Sequence, residues 1–325
     1  MKFIKYFLLV LFVCISLLAL IFVFFRKGYN TYFSFEQSRL KQIINGKGYY
    51  DALFVGSSRT YYHINPKIID SVLNLRSFNG GIDGANLFEI NMILKCYLAS
   101  HPAPRYVIAD LPASAFEIAE APIWNPNIYF PFLNNEIVFN SLRPSKRVYL
   151  LKYLPFLQIT EWDDFLRQGA FAGLAGKEKP LAPHYKGYLE SGTDTIPLPF
   201  KMTYLTTDFP VNPDGTALLE EMIKICKKNN IRLVITYAPV YKLKDEKMNP
   251  AFFPTLKYIC DTSHIPFLSY RYLSINNNHL LFRDEHHLNK HGADIFTTLL
   301  AEDLKNIEIE QAVTRPDEKI LKVWR

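Results

Sequence analysis

The sequence predicts an α/β fold in which helices cover both faces of a parallel sheet, and two observations carry this prediction. Short continuous apolar runs alternate along the chain with longer segments whose apolar residues recur at helical spacing. Each apolar run is stopped by a turn residue, such as Gly56 after Phe54-Val55 or Pro239 after Tyr237-Ala238. Strands that are apolar at every position are buried on both faces, which is the usual condition of a parallel sheet.

The N-terminal segment has the length and composition of a membrane anchor. Tyr6 to Phe25 forms a run of 20 residues without a charge, and as a helix it covers about 30 Å, the thickness of the hydrocarbon core. The run ends in Phe24-Phe25-Arg26-Lys27 and has no small-residue cleavage site. We therefore expect an uncleaved single span over residues 1–27, with a signal peptide or a buried helix as the alternatives.

The orientation of this span is not fixed by charge, because Lys and Arg residues lie on both sides of it. A short N-terminal tail before one large C-terminal domain is a common layout for an outward-facing domain. On that layout we expect a single-pass membrane protein whose domain lies outside the cytoplasm, in the periplasm or at the cell surface.

The remaining elements follow in a regular order. A linker helix is expected at 28–49, followed by a domain over 50–310 and a charged tail over 311–325. The predicted strands are 51–55, 75–78, 104–109, 231–237 and 266–269, and the predicted helices of the domain are 85–100, 214–229, 253–261 and 289–304. Residues 118–210 interrupt this order and are rich in proline, aromatic residues and turn pairs. They predict an insertion of helices and loops that could form a lid or a substrate groove.

Charge and cysteine content exclude several classes of function. The net charge is +6, but Lys2, Lys5, Arg26 and Lys27 flank the apolar run, and the rest of the chain is near neutral. This pattern predicts no nucleic-acid partner. None of the four cysteines forms a C-x-x-C pair, so zinc and dithiol chemistry lack support and the cysteines outside the span are expected to be small buried apolar residues. No cofactor is expected.

Polar and glycine residues follow three of the predicted strands directly. These are Ser57-Ser58, Gly80-Gly81 and Asp110. In a parallel sheet the carboxyl ends of the strands lie at one edge, where sites form. This shared position predicts a functional site there.

A second group of residues lies far downstream, where Asp284 and His287 stand three apart just before the last helix. A serine hydroxyl needs a base to take its proton, and the base needs a carboxylate that holds it in one tautomer. Ser58 as nucleophile, His287 as base and Asp284 as orienting carboxylate would supply this chemistry. The start of the helix after Ser58 and the N–H groups near Gly80 and Gly81 would stabilise an oxyanion.

Each of these residues has a simpler interpretation. The Gly-Ser-Ser turn could be an ordinary helix cap, and Asp284 could be a turn or cap residue. Ser57 and His286 are neighbouring candidates for nucleophile and base. His287 and His291 have the spacing of metal ligands on a helix, but no third ligand is evident, so no metal is expected. Arg59 could bind a substrate carboxylate or phosphate, or form a structural ion pair.

The order strand-GSSR, N-x-G and F-x-D-x-x-H-L-N-x-x-G resembles the SGNH (GDSL-like) hydrolase superfamily. The closer resemblance is to its membrane-anchored branches, which include the acyl-transfer proteins of alginate O-acetylation and teichoic acid D-alanylation. It covers residues 50–112 and 213–304. It implies a three-layer α/β/α, flavodoxin-like sheet, with Ser58, Asp284 and His287 as catalytic residues and Gly81, or Gly80, as an oxyanion donor. The third block of the family contains an asparagine, whereas residues 109–115 here read ADLPASA.

These observations predict a serine-dependent acyl-ester hydrolase or O-acyltransferase that acts on a cell-envelope glycan. The expected partners are the membrane, an acylated glycan or other acyl ester, and a membrane-bound O-acyltransferase. The alternative is a catalytically degenerate SGNH-like domain that binds such an acyltransferase or a polymer. The distance between the Ser58 hydroxyl and the His287 ring distinguishes these two hypotheses.

Overall fold

The computed structural model describes residues 2–32, 35–119, 122–143, 145–161, 164–177, 184–199, 211–243 and 251–314. The chain divides into two compact units. Unit 1 comprises Met1–Gly46, Lys95–Ser100 and Ile123–Ala182, and unit 2 comprises Lys47–Leu94, His101–Pro122 and Pro183–Arg325.

Helices and strands alternate through most of unit 2. The strands are β1 (Ala52–Gly56), β2 (Ser77–Asn79), β3 (Tyr106–Asp110), β4 (His184–Tyr185), β5 (Tyr188–Leu189), β6 (Arg232–Tyr237) and β7 (Phe267–Ser269). The α-helices are α1 (Lys2–Tyr32), α2 (Phe35–Asn45), α3 (Ser58–His63), α4 (Pro66–Leu73), α5 (Leu87–Ser100), α6 (Glu136–Leu142), α7 (Lys146–Tyr153), α8 (Asp164–Leu174), α9 (Pro213–Lys228), α10 (Phe252–Ser263) and α11 (Lys290–Thr314). Short 3-10 helices lie at Ala113–Phe116, Pro126–Phe132, Pro155–Glu161, Tyr241–Leu243, Ser274–Asn277 and His279–Leu281.

The central sheet has five strands in the order β2-β1-β3-β6-β7, and every pair is parallel. When the β4–β5 hairpin is left aside, this is the 2-1-3-4-5 order of flavodoxin-like folds. The fold class predicted from the sequence is therefore confirmed. The chain leaves β1 toward β2 on one side and returns to β3 on the other, so the carboxyl ends of β1 and β3 flank the point where the direction of winding reverses.

Helices cover the sheet on both faces. Phe54, Ile108 and Val234 are side by side on three neighbouring strands, and they form one core with residues of α4 and α11, including Ile69 and Phe296. Successive strand residues point to opposite faces, so Leu53, Val107 and Leu233 are buried on the other side. The right-handed rule for parallel crossovers assigns α5, α9 and α10 to that side.

The end of β1 requires a glycine. Gly56 has a φ of +152°, and a Cβ atom there would lie 2.1 Å from Oγ1 of Thr60 and 2.7 Å from the carbonyl oxygen of Asp110. L-residues with a side chain rarely adopt this backbone conformation. The glycine lets the chain turn sharply from β1 into α3 while β3 lies close beside it.

We expect Gly56→Ala to lower the free energy of unfolding by about 3 kcal/mol, because it combines an unfavourable φ with a contact that α3 or β3 must relieve. Urea unfolding measures this loss. The matched control is Gly192→Ala, where φ is +73° and no atom lies within 4 Å of the added Cβ. That variant carries the backbone strain alone, about 1 kcal/mol. Equal losses in the two variants would contradict the role given to Gly56.

The N-terminal helix is long and apolar enough to cross a membrane. Within α1, the segment Lys2–Gly28 has a mean hydropathy of 3.3 over its most apolar window, and 6% of that window is buried. A signal sequence would have the same properties, so the structure is compatible with either a membrane anchor or a signal sequence. In the described part of the chain no other helix has this length and composition.

Two further expectations have clear outcomes. The last helix, predicted at 289–304, runs from Lys290 to Thr314, partly because Ile307 packs on the core and its carbonyl accepts a hydrogen bond from Arg232. Residues 315–325 of the predicted tail lie outside the described residues. Cys96, Cys226 and Cys260 are unpaired and buried, and burial raises the pKa of each thiol to about 12.

The predicted insertion contributes to both units. Ile123–Ala182 belongs to unit 1 together with α1, whereas the β4–β5 hairpin and the segment that follows it belong to unit 2. The hairpin lies at the end of β2, where the N–H of Asn79 donates to the carbonyl of Lys186. Residues 120–121, 144, 162–163, 178–183 and 200–210 of the insertion lie outside the described residues.

Candidate active site

Ser58 is the first residue of α3 and follows the carboxyl end of β1 by two positions. The preceding residue, Ser57, is buried, and its side chain makes no capping hydrogen bond to the helix. Ser58 is partly exposed. The turn therefore presents the second hydroxyl, and not the first, at the reversal point of the sheet.

Asp284 and His287 are held in one tight turn before α11. The backbone N–H groups of Arg283 and Asp284 donate to the carbonyl of His287, and Phe282 and Leu288 form a β-bridge that closes the turn. The N–H groups of His286 and His287 both donate to Oδ1 of Asp284, each at 2.9 Å. These backbone bonds fix the carboxylate before it contacts any ring.

The structure brings Ser58, His287 and Asp284 together. Nε2 of His287 lies 2.8 Å from Oγ of Ser58, and Nδ1 lies 2.9 Å from both oxygens of Asp284. Since the carboxylate can only accept, the network assigns the ring proton to Nδ1 and leaves Nε2 as the acceptor of the serine proton. Three residues separated by up to 229 positions thus form one continuous hydrogen-bond chain.

The charge of Asp284 suits this arrangement. Partial burial alone would raise the pKa of its carboxyl group, but the hydrogen bond and charge of His287, the N–H of His286 and the Arg283 guanidinium outweigh that effect. Together they hold the pKa of Asp284 well below its usual range. The carboxylate is therefore ionised at neutral pH and stabilises a positive charge on His287.

Gly80 and Gly81 lie beside the serine turn, but their N–H groups already have acceptors. The N–H of Gly80 donates to the carbonyl of Phe54 at 2.8 Å, and that of Gly81 to Oδ1 of Asn79 at 3.0 Å. A Cβ atom on Gly81 would lie 2.6 Å from the backbone nitrogen of Tyr61. Gly81 thus permits a close approach between the end of β2 and α3.

Asn79 ends a strand in the sequence, and the structure gives it a further role. Its side chain is fully buried, and Nδ2 donates to the carbonyls of Thr60 and Ile64 at 2.6 and 2.8 Å. It therefore fastens α3, which carries Ser58, to β2. Its Oδ1 is the acceptor for Gly81.

Arg59 lies below the site and does not face it. Its side chain is 4% exposed, and Nε lies 3.3 Å from Oδ2 of Asp110. The guanidinium also stacks over the ring of Tyr237 at 4.4 Å. Burial raises the pKa of Asp110, whereas Arg59 and the N–H of Ala238 favour its ionised form. The geometry is that of the structural ion pair rather than of a group that contacts substrate.

His286, His291 and Ser114 lie apart from the hydrogen-bond chain of Ser58. The ring of His286 faces Glu285, with Nε2 3.3 Å from Oε1, and the side chains of His291 and Ser114 are exposed. The structure therefore selects His287 over His286 as the base. Among the described residues no group of three or more His, Cys, Asp or Glu side chains could hold a metal ion.

The rim of the site carries an aromatic and a basic side chain. Tyr62 is half-buried, and its ring meets that of His287 edge-on with centroids 5.5 Å apart. The guanidinium of Arg283 lies 4.5 Å from the centre of the Tyr62 ring, and its side chain is partly exposed. These groups border the space in front of Ser58.

Residues that the sequence pattern does not single out hold the histidine turn in place. His63, on α3 and fully buried, accepts the N–H of Leu288 at its Nε2 at 3.0 Å. From the segment after the β4–β5 hairpin, Ser191 donates to the carbonyl of Leu288, and the carbonyl of Gly192 accepts the N–H of Lys290. The turn is thus tied to the nucleophile helix on one side and to the hairpin segment on the other.

His63 makes stability sensitive to acid. Burial lowers the pKa of His63 well below its ordinary value, and the nearby positive groups His287, Arg59 and Arg283 add to this effect, with Asp284 opposing it. The unfolded chain binds a proton near pH 6.5, but the folded chain does not. This contribution to stability is therefore present above that pH and is lost as the pH falls below it.

We expect the wild-type chain to lose about 1 kcal/mol more than His63→Gln when the pH is lowered from about 7.5 to 5.5, since glutamine can accept the Leu288 N–H without titrating. Urea unfolding at the two pH values measures the difference. The other histidines are common to both chains and cancel. An equal pH dependence in both would show that His63 is protonated in the folded state.

Comparison with known proteins yields fold-level likenesses only. No protein-family model matches the chain, and no curated protein matches it. A solved structure assigned to the G-D-S-L lipolytic family, from Desulfitobacterium hafniense DCB-2, is 10% identical, with 77% of this chain and 97% of that chain covered and a TM-score of 0.41. A structure named as an acylhydrolase, from Bacteroides fragilis NCTC 9343, is 12% identical, with 84% and 95% covered and a TM-score of 0.39. With scores this low, function is argued from the site of this chain alone.

Proposed function

We propose that the protein is a serine-dependent enzyme that cleaves or transfers acyl esters, with Ser58, His287 and Asp284 as its catalytic residues. The observation that carries this proposal is the continuous hydrogen-bond chain from Oγ of Ser58 through both nitrogens of His287 to Asp284, with distances of 2.8 and 2.9 Å. This is the arrangement that activates a serine hydroxyl in acyl transfer.

The proposed reaction begins when Nε2 of His287 takes the proton of Ser58 and Oγ attacks the acyl carbonyl. His287 then gives the proton to the leaving alcohol, and an acyl ester remains on Ser58. In the second half, His287 activates an acceptor hydroxyl, which attacks the acyl carbonyl and releases Ser58. Asp284 stays ionised throughout and stabilises the imidazolium that forms in each half.

The negative oxygen of the intermediate needs hydrogen-bond donors. The backbone N–H of Ser58 is at the first position of α3, where helical geometry provides no acceptor within the helix. We assign it the first place. Gly81 is proposed as a second donor, and its N–H would then be shared between the oxyanion and Oδ1 of Asn79. Gly80 is less suitable, since its N–H is part of the sheet.

The acceptor decides between hydrolysis and transfer. A water molecule gives an esterase, and a sugar hydroxyl of a cell-envelope glycan gives an O-acyltransferase. The resemblance of the GSSR and D-x-x-H-L-N-x-x-G strings to the membrane-anchored SGNH branches supports the second, as does the apolar N-terminal helix. On this proposal the domain lies outside the cytoplasm and can act with a membrane-bound O-acyltransferase. Arg283 replaces the buried Arg59 as the group that would contact a charged substrate.

A second candidate function is a binding domain without catalytic activity. The observation that favours it is the engagement of both glycine N–H groups with acceptors of the protein, together with the sequence ADLPASA, which lacks an asparagine, after β3. Such a domain would bind a polymer or an acyltransferase of the membrane.

One experiment distinguishes these possibilities. The detergent-solubilised full chain is mixed with p-nitrophenyl acetate, quenched in acid and analysed by mass spectrometry of its peptides. We expect an acetyl group on Ser58. Continued release of p-nitrophenol would indicate a hydrolase, whereas one equivalent, followed by turnover only when a polyol is added, would indicate a transferase. A chain that neither accumulates acetyl nor turns over would favour the binding domain.

A further inference from the structure

Unit 1 exposes large apolar side chains outside the N-terminal span. Trp124 is 84% exposed and Phe171 59%, and Tyr153 and Leu174 are also exposed. Leu150 and Leu154 belong to the same group. All six lie on Ile123–Ala182, the segment that shares a unit with α1. Clusters of this kind on a soluble surface mark interaction sites.

The C-terminal third of α1 has one covered face. Phe22 is 5% exposed, although Val23 and Phe24 beside it are largely exposed. Ala19, Phe25 and Gly28 are also wholly or partly covered, and a spacing of three places all four on one side of the helix. Within unit 1 it is α8 and the 3-10 segment Pro155–Glu161 that pack against α1.

The contact between α1 and α8 is close. The rings of Phe25 and Phe171 meet edge-on with centroids 4.7 Å apart. A Cβ atom on Gly28 would lie 2.1 Å from the carbonyl oxygen of Ala170 and 2.6 Å from Cγ of Leu174. The backbones of the two helices therefore approach each other as helices packed through a small residue do.

The covered face reaches into the charge-free run. Ala19 lies six residues before Phe25, the last residue of that run, which corresponds to about 9 Å along the helix. A segment packed at this level lies at the depth where interfacial helices bury their apolar faces, about 5–10 Å into the boundary between headgroups and acyl chains. Its outward side chains, including Phe171 and Leu174, would there meet lipid.

We propose that α8 and the segment Pro155–Glu161 form a membrane-interfacial collar on the end of α1, and that the lipid bilayer is the partner of their exposed apolar side chains. Basic residues accompany them: Arg26 and Lys27 end the span, Lys177 follows α8, and Lys146 begins α7. Their side chains suit anionic headgroups. The proposal rests on α1 being a membrane span, and it does not depend on the chemistry at Ser58.

The test uses the full chain reconstituted in vesicles of phosphatidylcholine and phosphatidylglycerol. In a Cys14→Ala background, the variants Phe171→Cys, Leu174→Cys and Tyr153→Cys are labelled with an environment-sensitive NBD fluorophore. The three buried cysteines have raised thiol pKa values and react poorly. Tyr258→Cys and Tyr272→Cys, at exposed positions of unit 2, are the controls, and thermal unfolding confirms that each variant is folded.

We expect blue-shifted emission at the three collar positions and several-fold stronger quenching by lipids with a doxyl group near the headgroup than at the controls. Emission typical of water at Phe171→Cys and Leu174→Cys, with quenching by aqueous iodide, would overturn the proposal. So would blue-shifted emission that doxyl lipids do not quench, because it would mean that protein, such as a second copy of the chain, covers this surface.

Discussion

Replacing Ser58 by alanine is expected to lower kcat/KM for p-nitrophenyl acetate by about 10⁴-fold or more. The variant lacks the only atom that forms the acyl intermediate. His287 and Asp284 keep their mutual hydrogen bonds, so the site retains its shape and KM should change little. The measurement is steady-state release of p-nitrophenol by the full chain in detergent, and the melting temperature should stay near that of the wild type, since Ser58 is partly exposed.

The matched control for this prediction is the adjacent hydroxyl. Ser57→Ala removes a buried hydroxyl that makes no capping bond to α3, and it should retain activity within about tenfold. Equal activity of Ser58→Ala and the wild type would contradict the assignment of the nucleophile. A large loss in Ser57→Ala with none in Ser58→Ala would transfer the role to Ser57.

Replacing Arg59 by methionine is expected to lower the free energy of unfolding by about 3–5 kcal/mol. Methionine fills much of the same space, but it leaves the buried carboxylate of Asp110 without its cation. The native pKa of Asp110 then rises further above its unfolded value. Stability is therefore lost as the pH rises above that unfolded value, and the deficit of Arg59→Met should be larger at about pH 8 than at about pH 5.

The control is the double variant Arg59→Met/Asp110→Asn, in which the uncompensated charge is absent and the amide can still accept the N–H of Ala238. It should recover a large part of the loss. If Arg59→Met instead unfolded like the wild type and raised KM for an anionic ester, Arg59 would contact substrate, and the structural ion pair would not be its main role.

The strands could be predicted from sequence because each is buried on both faces. The runs predicted at 51–55, 104–109 and 231–237 correspond to β1, β3 and β6 with shifts of one or two residues. The hairpin β4–β5 is not predicted, since two strands of two residues each carry no periodicity. The helix α4 is not predicted either, although Asn65 caps it and Pro66 occupies its first turn, which is a recognisable start signal.

The site is predictable where it is local. Asp284 and His287 form their turn within four residues, so their spacing alone indicates that the ring and carboxylate can meet. The meeting of His287 with Ser58 depends on strand order, and the resemblance to a known family is needed to expect it. Which N–H groups are already engaged depends on contacts such as that of Asn79 with Gly81, and nothing in the local sequence reveals them.

His63 shows a further limit of sequence reasoning. Nothing in the string Thr60-Tyr61-Tyr62-His63 indicates that this imidazole is fully buried, or that it accepts a backbone N–H from a turn 225 residues away. The same applies to Ser191 and Lys290, which join the hairpin segment to the histidine turn. Such long-range bonds position the catalytic groups, and only the packed structure reveals them.

The most direct test of the account is reaction of the full chain with a fluorophosphonate, which modifies only an activated serine and requires no knowledge of the acyl donor or acceptor. The account predicts a single adduct on Ser58, found by mass spectrometry of the peptides, that persists in Ser57→Ala and disappears in His287→Gln. An adduct on another serine, or none on the folded wild-type chain, would contradict the claim that Ser58, His287 and Asp284 form a working catalytic unit.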